Sequence, residues 1–136
     1  MTSRALITDG KYILLIHRFK DGREYYVLPG GHIEAGESSE QTVIREVKEE
    51  TNMEIEIDKK LWTLYNQFDR SYHDFFLVTK FSGNLELGGE EREKDSPKDR
   101  YILEWHPLED IKTLNLVPQQ LKPIIETMIK NDKKIW

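Results

Sequence analysis

One stretch, from Leu28 to Met53, does most to limit what this chain can become. It opens on Leu28-Pro29-Gly30-Gly31, where a strand-like run reaches a corner without side chains, so that backbone amides and carbonyls can come close to a ligand or an ion. Past Gly36 and Glu37, Ser38 begins a run to Thr51 with no Gly or Pro. Ser38 with Gln41 has the form of a capping box, and the pattern predicts a helix over 38–51. At about 100° per residue, Val43, Ile44 and Val47 share a core-facing arc, and Glu46, Glu49 and Glu50 share the adjoining one. Like charges at these spacings destabilise an isolated helix by about 0.2–0.5 kcal/mol per pair. All three also lie in the last turns, where the macrodipole disfavours anions. Stability alone would not select this patch. A divalent cation turns both penalties into attraction, and carboxylate oxygens suit Mg2+ or Mn2+. A solvated acidic face, partly neutralised by Arg45 and Lys48, is the plainer reading of three glutamates. The glycine corner ahead of them shifts the balance toward ligand binding.

The rest of the chain bounds the answer. Its 136 residues suit a single domain over 1–136, with enough apolar material at 38% to build a core. Tyr12 to Ile16, the longest apolar run, is far short of a membrane span, and Asp9 with Lys11 breaks any secretory pattern, so the expectation is a cytoplasmic protein with no membrane partner. The absence of cysteine excludes disulfides, thiolate nucleophiles and cysteine-bound zinc. A net charge of -5 argues against a nucleic-acid partner, and a phosphate-bearing ligand would need a local cation. Arg4–Thr8 and Tyr12–His17 read as a hairpin closed by Asp9-Gly10, Asp21-Gly22 as a second turn, and Tyr25–Leu28 as a further strand. Two more strands are expected over 54–65 and 72–81, a long loop over 82–100, a short strand over 101–105 and a C-terminal helix over 119–130. Pro107 and Pro118 stand where helical first turns begin. The order is that of an α+β or α/β protein. His17, His32, His73 and His106 lack metal-ligand spacing, and no P-loop or dinucleotide fingerprint is present.

The stretch resembles the box of the Nudix hydrolases: Gly, five residues, Glu, seven residues, Arg-Glu, an apolar residue, any residue, Glu-Glu, any residue, Gly, apolar. Here it reads Gly31, Glu37, Arg45-Glu46, Val47, Glu49-Glu50, then Asn52 and Met53. Only the last glycine departs, and Asn is the usual substitute where a helix ends in a left-handed residue. Trp105-His106-Pro107-Leu108-Glu109-Asp110-Ile111 also looks like the family's habit.

The resemblance implies an α/β fold, a Nudix-type α/β/α sandwich with a mixed sheet, a catalytic loop-helix-loop, and a helix on each side. It also implies Mg2+-dependent hydrolysis of a phosphoanhydride in a nucleoside diphosphate linked to another group. The short chain looks most like the MutT-like enzymes that cut nucleoside triphosphates. Glu37, Arg45, Glu46 and Glu49 would form the catalytic set, and Gly31, Glu46, Glu49 and Glu50 would hold metal. Glu46 is the first choice of general base, although in some similar enzymes a glutamate outside the box serves. Arg45 would tie Glu37 to the helix; the alternative is a surface pair with Glu49. A distal acid is expected among Glu90, Glu91 and Glu93. Arg18, Arg23 and Gly30 would meet the substrate, the arginines at its phosphates, and Trp62, Tyr65, Phe68, Tyr72 and Phe76 are candidates for base stacking, although most read as core. Dinucleoside polyphosphates, nucleotide sugars and ADP-ribose stay open as substrates, with the protein a monomer or homodimer. The rival reading is a nucleotide-sensing module without turnover, against which the intact glutamates speak.

Overall fold

The computed structural model describes residues 1–67, 69–88 and 96–131. The expected distal acids Glu90, Glu91 and Glu93, and Phe68, lie outside them. In chain order the elements are β1 (Thr2–Ile7), β2 (Tyr12–Lys20), β3 (Arg23–Val27), β4 (Gly30–His32), α1 (Ser39–Thr51), β5 (Glu54–Glu56), β6 (Lys59–Asn66), β7 (Ser71–Val78), β8 (Lys80–Ser82), β9 (Asp99–Pro107), a 3-10 helix (Leu108–Lys112) and α2 (Leu121–Asn131).

Two main sheets carry the molecule. One runs β4-β1-β7-β6 and is mixed, because β1 lies parallel to β7 and antiparallel to β4; the other, β3-β2-β9, is antiparallel. The expected hairpin of β1 with β2 is corrected. Only Thr8 and Ile13 bridge there, and beyond that point each strand enters a different sheet. The Asp9 carboxylate accepts the amides of Lys11 and Tyr12, making a local side-chain turn rather than a tight hairpin turn. Asp21 and Gly22, both at positive φ, instead close the β2–β3 hairpin with Lys20 opposite Arg23.

Side chains alternate along the central strands and so build a core on either side. Ala5, Ile7, Leu14, Phe76 and Val78 pack with Val43 and Val47 of α1. Their neighbours Leu6, Ile13, Leu15, Phe75 and Leu77 pack with Leu121 and Ile125 of α2. A helix on each side of a mixed sheet is the arrangement expected. Ile44, expected to face the core, is 43% exposed: its arc lies at the margin of the helix contact.

The capping box forms as read, with Ser38 Oγ accepting from the Gln41 amide and Gln41 Oε1 from the Ser38 amide. The start of α1 is tied to the sheet by the buried Asp74 carboxylate, which accepts from Ser39 Oγ at 2.5 Å and Thr63 Oγ1 at 2.6 Å. At its far end Asn52 has φ 65°, the left-handed residue anticipated there. The expected strands over 54–65 and 72–81 are each two, broken at Asp58 and at Thr79, where the Asp58 carboxylate accepts from the Thr79 amide and hydroxyl. Pro107 precedes a 3-10 helix rather than an α-helix, and Pro118 stands in a turn ahead of α2.

Candidate active site

The glycine corner and the last turns of α1 face each other across one wall of a cleft of about 450 Å3. Gly30 has φ 145°, and a Cβ there would lie 2.1 Å from the Ser3 carbonyl oxygen, so no other residue fits beside β1. Its amide donates to Glu50 Oε1 at 2.8 Å. Glu50 is only 3% exposed, and this bond helps to hold a carboxylate at the edge of the core. Gly31 lies against Glu46: a Cβ there would stand 2.5 Å from the Glu46 carboxyl carbon.

Arg45 gathers the remaining acids. Its Nε and Nη2 donate to the two oxygens of Glu37 at 2.7 and 2.9 Å, a bidentate fork, while Nη1 donates to Glu46 at 3.1 Å and Glu49 at 3.2 Å. Both readings of Arg45, a tie to Glu37 and a pairing with Glu49, are therefore realised. The fork holds the Glu37 carboxyl down to about 2, and Glu37 in turn raises Arg45 above its ordinary value. Behind the patch, the amides of Glu86 and Gly88 donate to the carbonyls of Thr51 and Glu50. These bonds satisfy two acceptors of the final turn that would otherwise repel the carboxylates.

Among the described residues, no three acidic or histidine side chains converge on one point as they would around a bound ion. The cause is visible in the partners: Arg45 holds Glu46 and Glu49, and the Gly30 amide holds Glu50. The donor set itself consists of hard oxygens on one wall of one cleft, and that chemistry fits Mg2+.

The second wall is the α1-facing side of the β3-β2-β9 sheet. Arg18 stands directly opposite Tyr25 on β3 and Tyr101 on β9, so the three form one row, with Ile16 and Val27 in the next. The Arg18 guanidinium lies 3.5 Å from the Tyr101 ring centroid and donates through Nη2 to Asp99 at 2.7 Å. On the reverse face the His17 ring spans carboxylates of β3 and β9, Glu24 at 2.6 Å and Glu104 at 2.9 Å, which braces the sheet.

The expected residues thus divide. Glu37, Arg45, Glu46, Glu49, Glu50, Gly30, Gly31 and Arg18 come together, Glu37 by way of Arg45. Arg23 does not: it sits opposite Lys20, one row outside the cleft. Among the expected stacking residues, Phe76 is core, Trp62 packs against the α2-side core, and Tyr65 and Tyr72 form an exposed pair, 5.0 Å between rings. The tyrosines that line the cleft are Tyr25 and Tyr101, beside His32. Tyr25 was within reach of the sequence, because a two-residue turn at Asp21-Gly22 sets Arg18 opposite it. Tyr101 and Asp99 were not, since their pairing spans 81 residues or more.

The family model described as NUDIX domain matches residues 2–128. An uncharacterized Nudix hydrolase, YvcI of Bacillus subtilis, is 33% identical over 122 residues, 87% of this chain and 72% of that protein. An ADP-ribose pyrophosphatase of Methanocaldococcus jannaschii is 30% identical over 100 residues, 74% of this chain; the chain spans just over half, 58%, of that relative. Among solved structures, a MutT from a study of the Aliivibrio salmonicida and Vibrio cholerae proteins superposes with TM-score 0.71 at 24% identity, covering 94% of both chains. The E. coli ORF135 protein superposes with TM-score 0.72 at 23% identity, covering 94% of this chain and 86% of that one.

Proposed function

The chain belongs to the Nudix family of hydrolases, which act on nucleoside diphosphate derivatives, and on that premise we propose that it hydrolyses a phosphoanhydride bond of such a nucleotide with Mg2+ as cofactor, as a single domain acting in the cytoplasm. The observation that carries the reading is Arg45: one guanidinium binds Glu37, Glu46 and Glu49 beside the Gly30–Glu50 bond, assembling the whole acidic set along one cleft.

In this reading Glu46, Glu49, Glu50 and the Gly31 carbonyl hold the metal. Bound there, Mg2+ supplies charge neutralisation at the phosphates and lowers the pKa of attacking water. The chain's own groups do the rest. Glu46 takes the proton of water as general base, and the Gly31 backbone fixes how near its carboxylate comes to the corner. Arg45 keeps Glu46 and Glu49 oriented, and its fork to Glu37 anchors the loop between β4 and α1. The Gly30 amide keeps Glu50 from turning into the core.

Nucleoside triphosphates are the first substrates to try. ADP-ribose belongs beside them because of the Methanocaldococcus jannaschii relative's name. A panel of nucleoside triphosphates, dinucleoside polyphosphates, nucleotide sugars and ADP-ribose, assayed chromatographically for the nucleotide products of anhydride cleavage with Mg2+ and with EDTA, tests the proposal. Turnover of at least one compound that EDTA abolishes and Mg2+ restores is expected. Binding without turnover across the panel would instead establish the nucleotide-sensing module.

A further inference from the structure

The acidic wall accounts for chemistry at phosphorus and leaves the opposite wall without a task. There, Arg18 is 6% exposed and lies face-on to Tyr101, with Nη2 spent on Asp99, and its Nη1 is buried with no hydrogen-bond partner. A buried donor without an acceptor is costly, and its place among the residues lining the cleft makes a ligand the natural source of the missing acceptor. Asp99, 2.7 Å from Nη2, already balances the charge of Arg18. A phosphate drawn here would bring its negative charge beside that carboxylate. A neutral acceptor pays no such penalty. Tyr101 holds the guanidinium from one side, and Tyr25, opposite Arg18 on the other neighbouring strand, offers a flat surface that a planar ring stacks on.

We propose that Arg18 is a specificity-determining residue that reads the base of the nucleotide, donating from Nη1 to the oxygen at C6 of a purine or C4 of a pyrimidine, so that the site favours keto-edged bases (guanine, hypoxanthine, uracil) over amino-edged ones (adenine, cytosine). This rests on the reading of the cleft as a nucleotide hydrolase site. The discrimination is chemical: guanine presents O6 where adenine presents an amino group, and uracil presents O4 where cytosine presents one. A donor facing a donor gains nothing and leaves both groups unpaired.

The test compares kcat/KM for GTP against ATP and UTP against CTP in the wild type, Arg18→Gln and Tyr101→Leu, each variant checked for retained fold by circular dichroism and thermal melting. Alongside it, calorimetry measures GMP and AMP binding without metal. Expected are keto preferences of about tenfold or more in the wild type, brought to within about twofold in Arg18→Gln and reduced in Tyr101→Leu. No preference in the wild type overturns the proposal, as does an Arg18→Gln variant that loses all four substrates alike, the mark of a phosphate-binding or structural arginine. Should Arg18→Gln fail to fold, the ratio in Tyr101→Leu decides in the same way. If nothing on the panel is turned over, the hydrolase reading falls by itself, and the binding arm still judges Arg18. Tighter GMP than AMP, lost on mutation, upholds the base contact, and equal or absent binding refutes it.

Discussion

Replacing Gly31 by Ala separates folding from catalysis. Gly31 is not at positive φ, so the backbone accepts a side chain, and what the new Cβ meets is the Glu46 carboxylate: the carbon at 2.5 Å and the oxygens at 2.7 and 2.8 Å. Carbon contacts settle at about 3.5–4.0 Å, so the carboxylate must retreat by about 1 Å. Because it is the end of a flexible chain, the retreat is cheap, about 1 kcal/mol, or a fall of about 4 °C in Tm. For a general base the same 1 Å is severe, since such a misplacement can lower the rate about 100-fold. Gly30→Ala is the contrast. Its Cβ would meet Ser3 and Arg4 backbone at 2.1 and 2.7 Å, in a φ range closed to side chains, and the cost is about 3 kcal/mol or more, taken from the β1–β4 pairing. The assay is the initial rate of Mg2+-dependent hydrolysis of the substrate found on the panel, beside thermal unfolding of both variants. A Gly31→Ala protein with kcat within about threefold of wild type would show that the position of Glu46 does not govern the reaction.

Three further outcomes are expected. Glu50→Gln can still accept the Gly30 amide, so stability should fall by about 1 kcal/mol in urea titration, while Mg2+-dependent turnover drops by about 10²–10³-fold; a near wild-type rate would remove Glu50 from the site. Asn52→Ala should cost about 1 kcal/mol, because it forces an alanine into a left-handed backbone. Asn52→Gly should change activity little, since it keeps that backbone and loses the side-chain contacts to the Asn84 carbonyl and Lys48 Nζ, neither of them in the cleft; a large rise in rate would mean that Asn52 impairs the site. The Arg45 fork sets an acid limb: Glu37 falls from 4.5 to about 2 on folding, so its stabilisation is complete above about pH 4.5 and drains away as pH drops through 2. Melting curves of Glu37→Gln between those values should be flatter than wild type, and an unchanged slope would discount the fork.

What the sequence disclosed follows the range of the interactions involved. The helix cap, the glutamate face and the left-handed Asn52 are local, decided within a few residues, and were legible. The error at Asp9-Gly10 arose because a side-chain turn and a hairpin turn share their composition; which strand β1 joins depends on β7, some 70 residues away. Arg18 and Arg23 look alike in the chain and differ only in their row. Arg18 is buried by Tyr101 and Asp99 of β9, partners that no local pattern announces.

The two walls of the cleft belong to separate hydrogen-bond ladders. The corner that seats Glu50 is stitched to β1, whereas Tyr25, Arg18 and Tyr101 are stitched only to one another. Side chains along the second ladder can therefore be exchanged without straining the apparatus that breaks the bond. A lineage built this way can change its taste while keeping its teeth: new preferences for the base can arise by a handful of substitutions on three strands, with the hydrolytic machinery carried through unaltered.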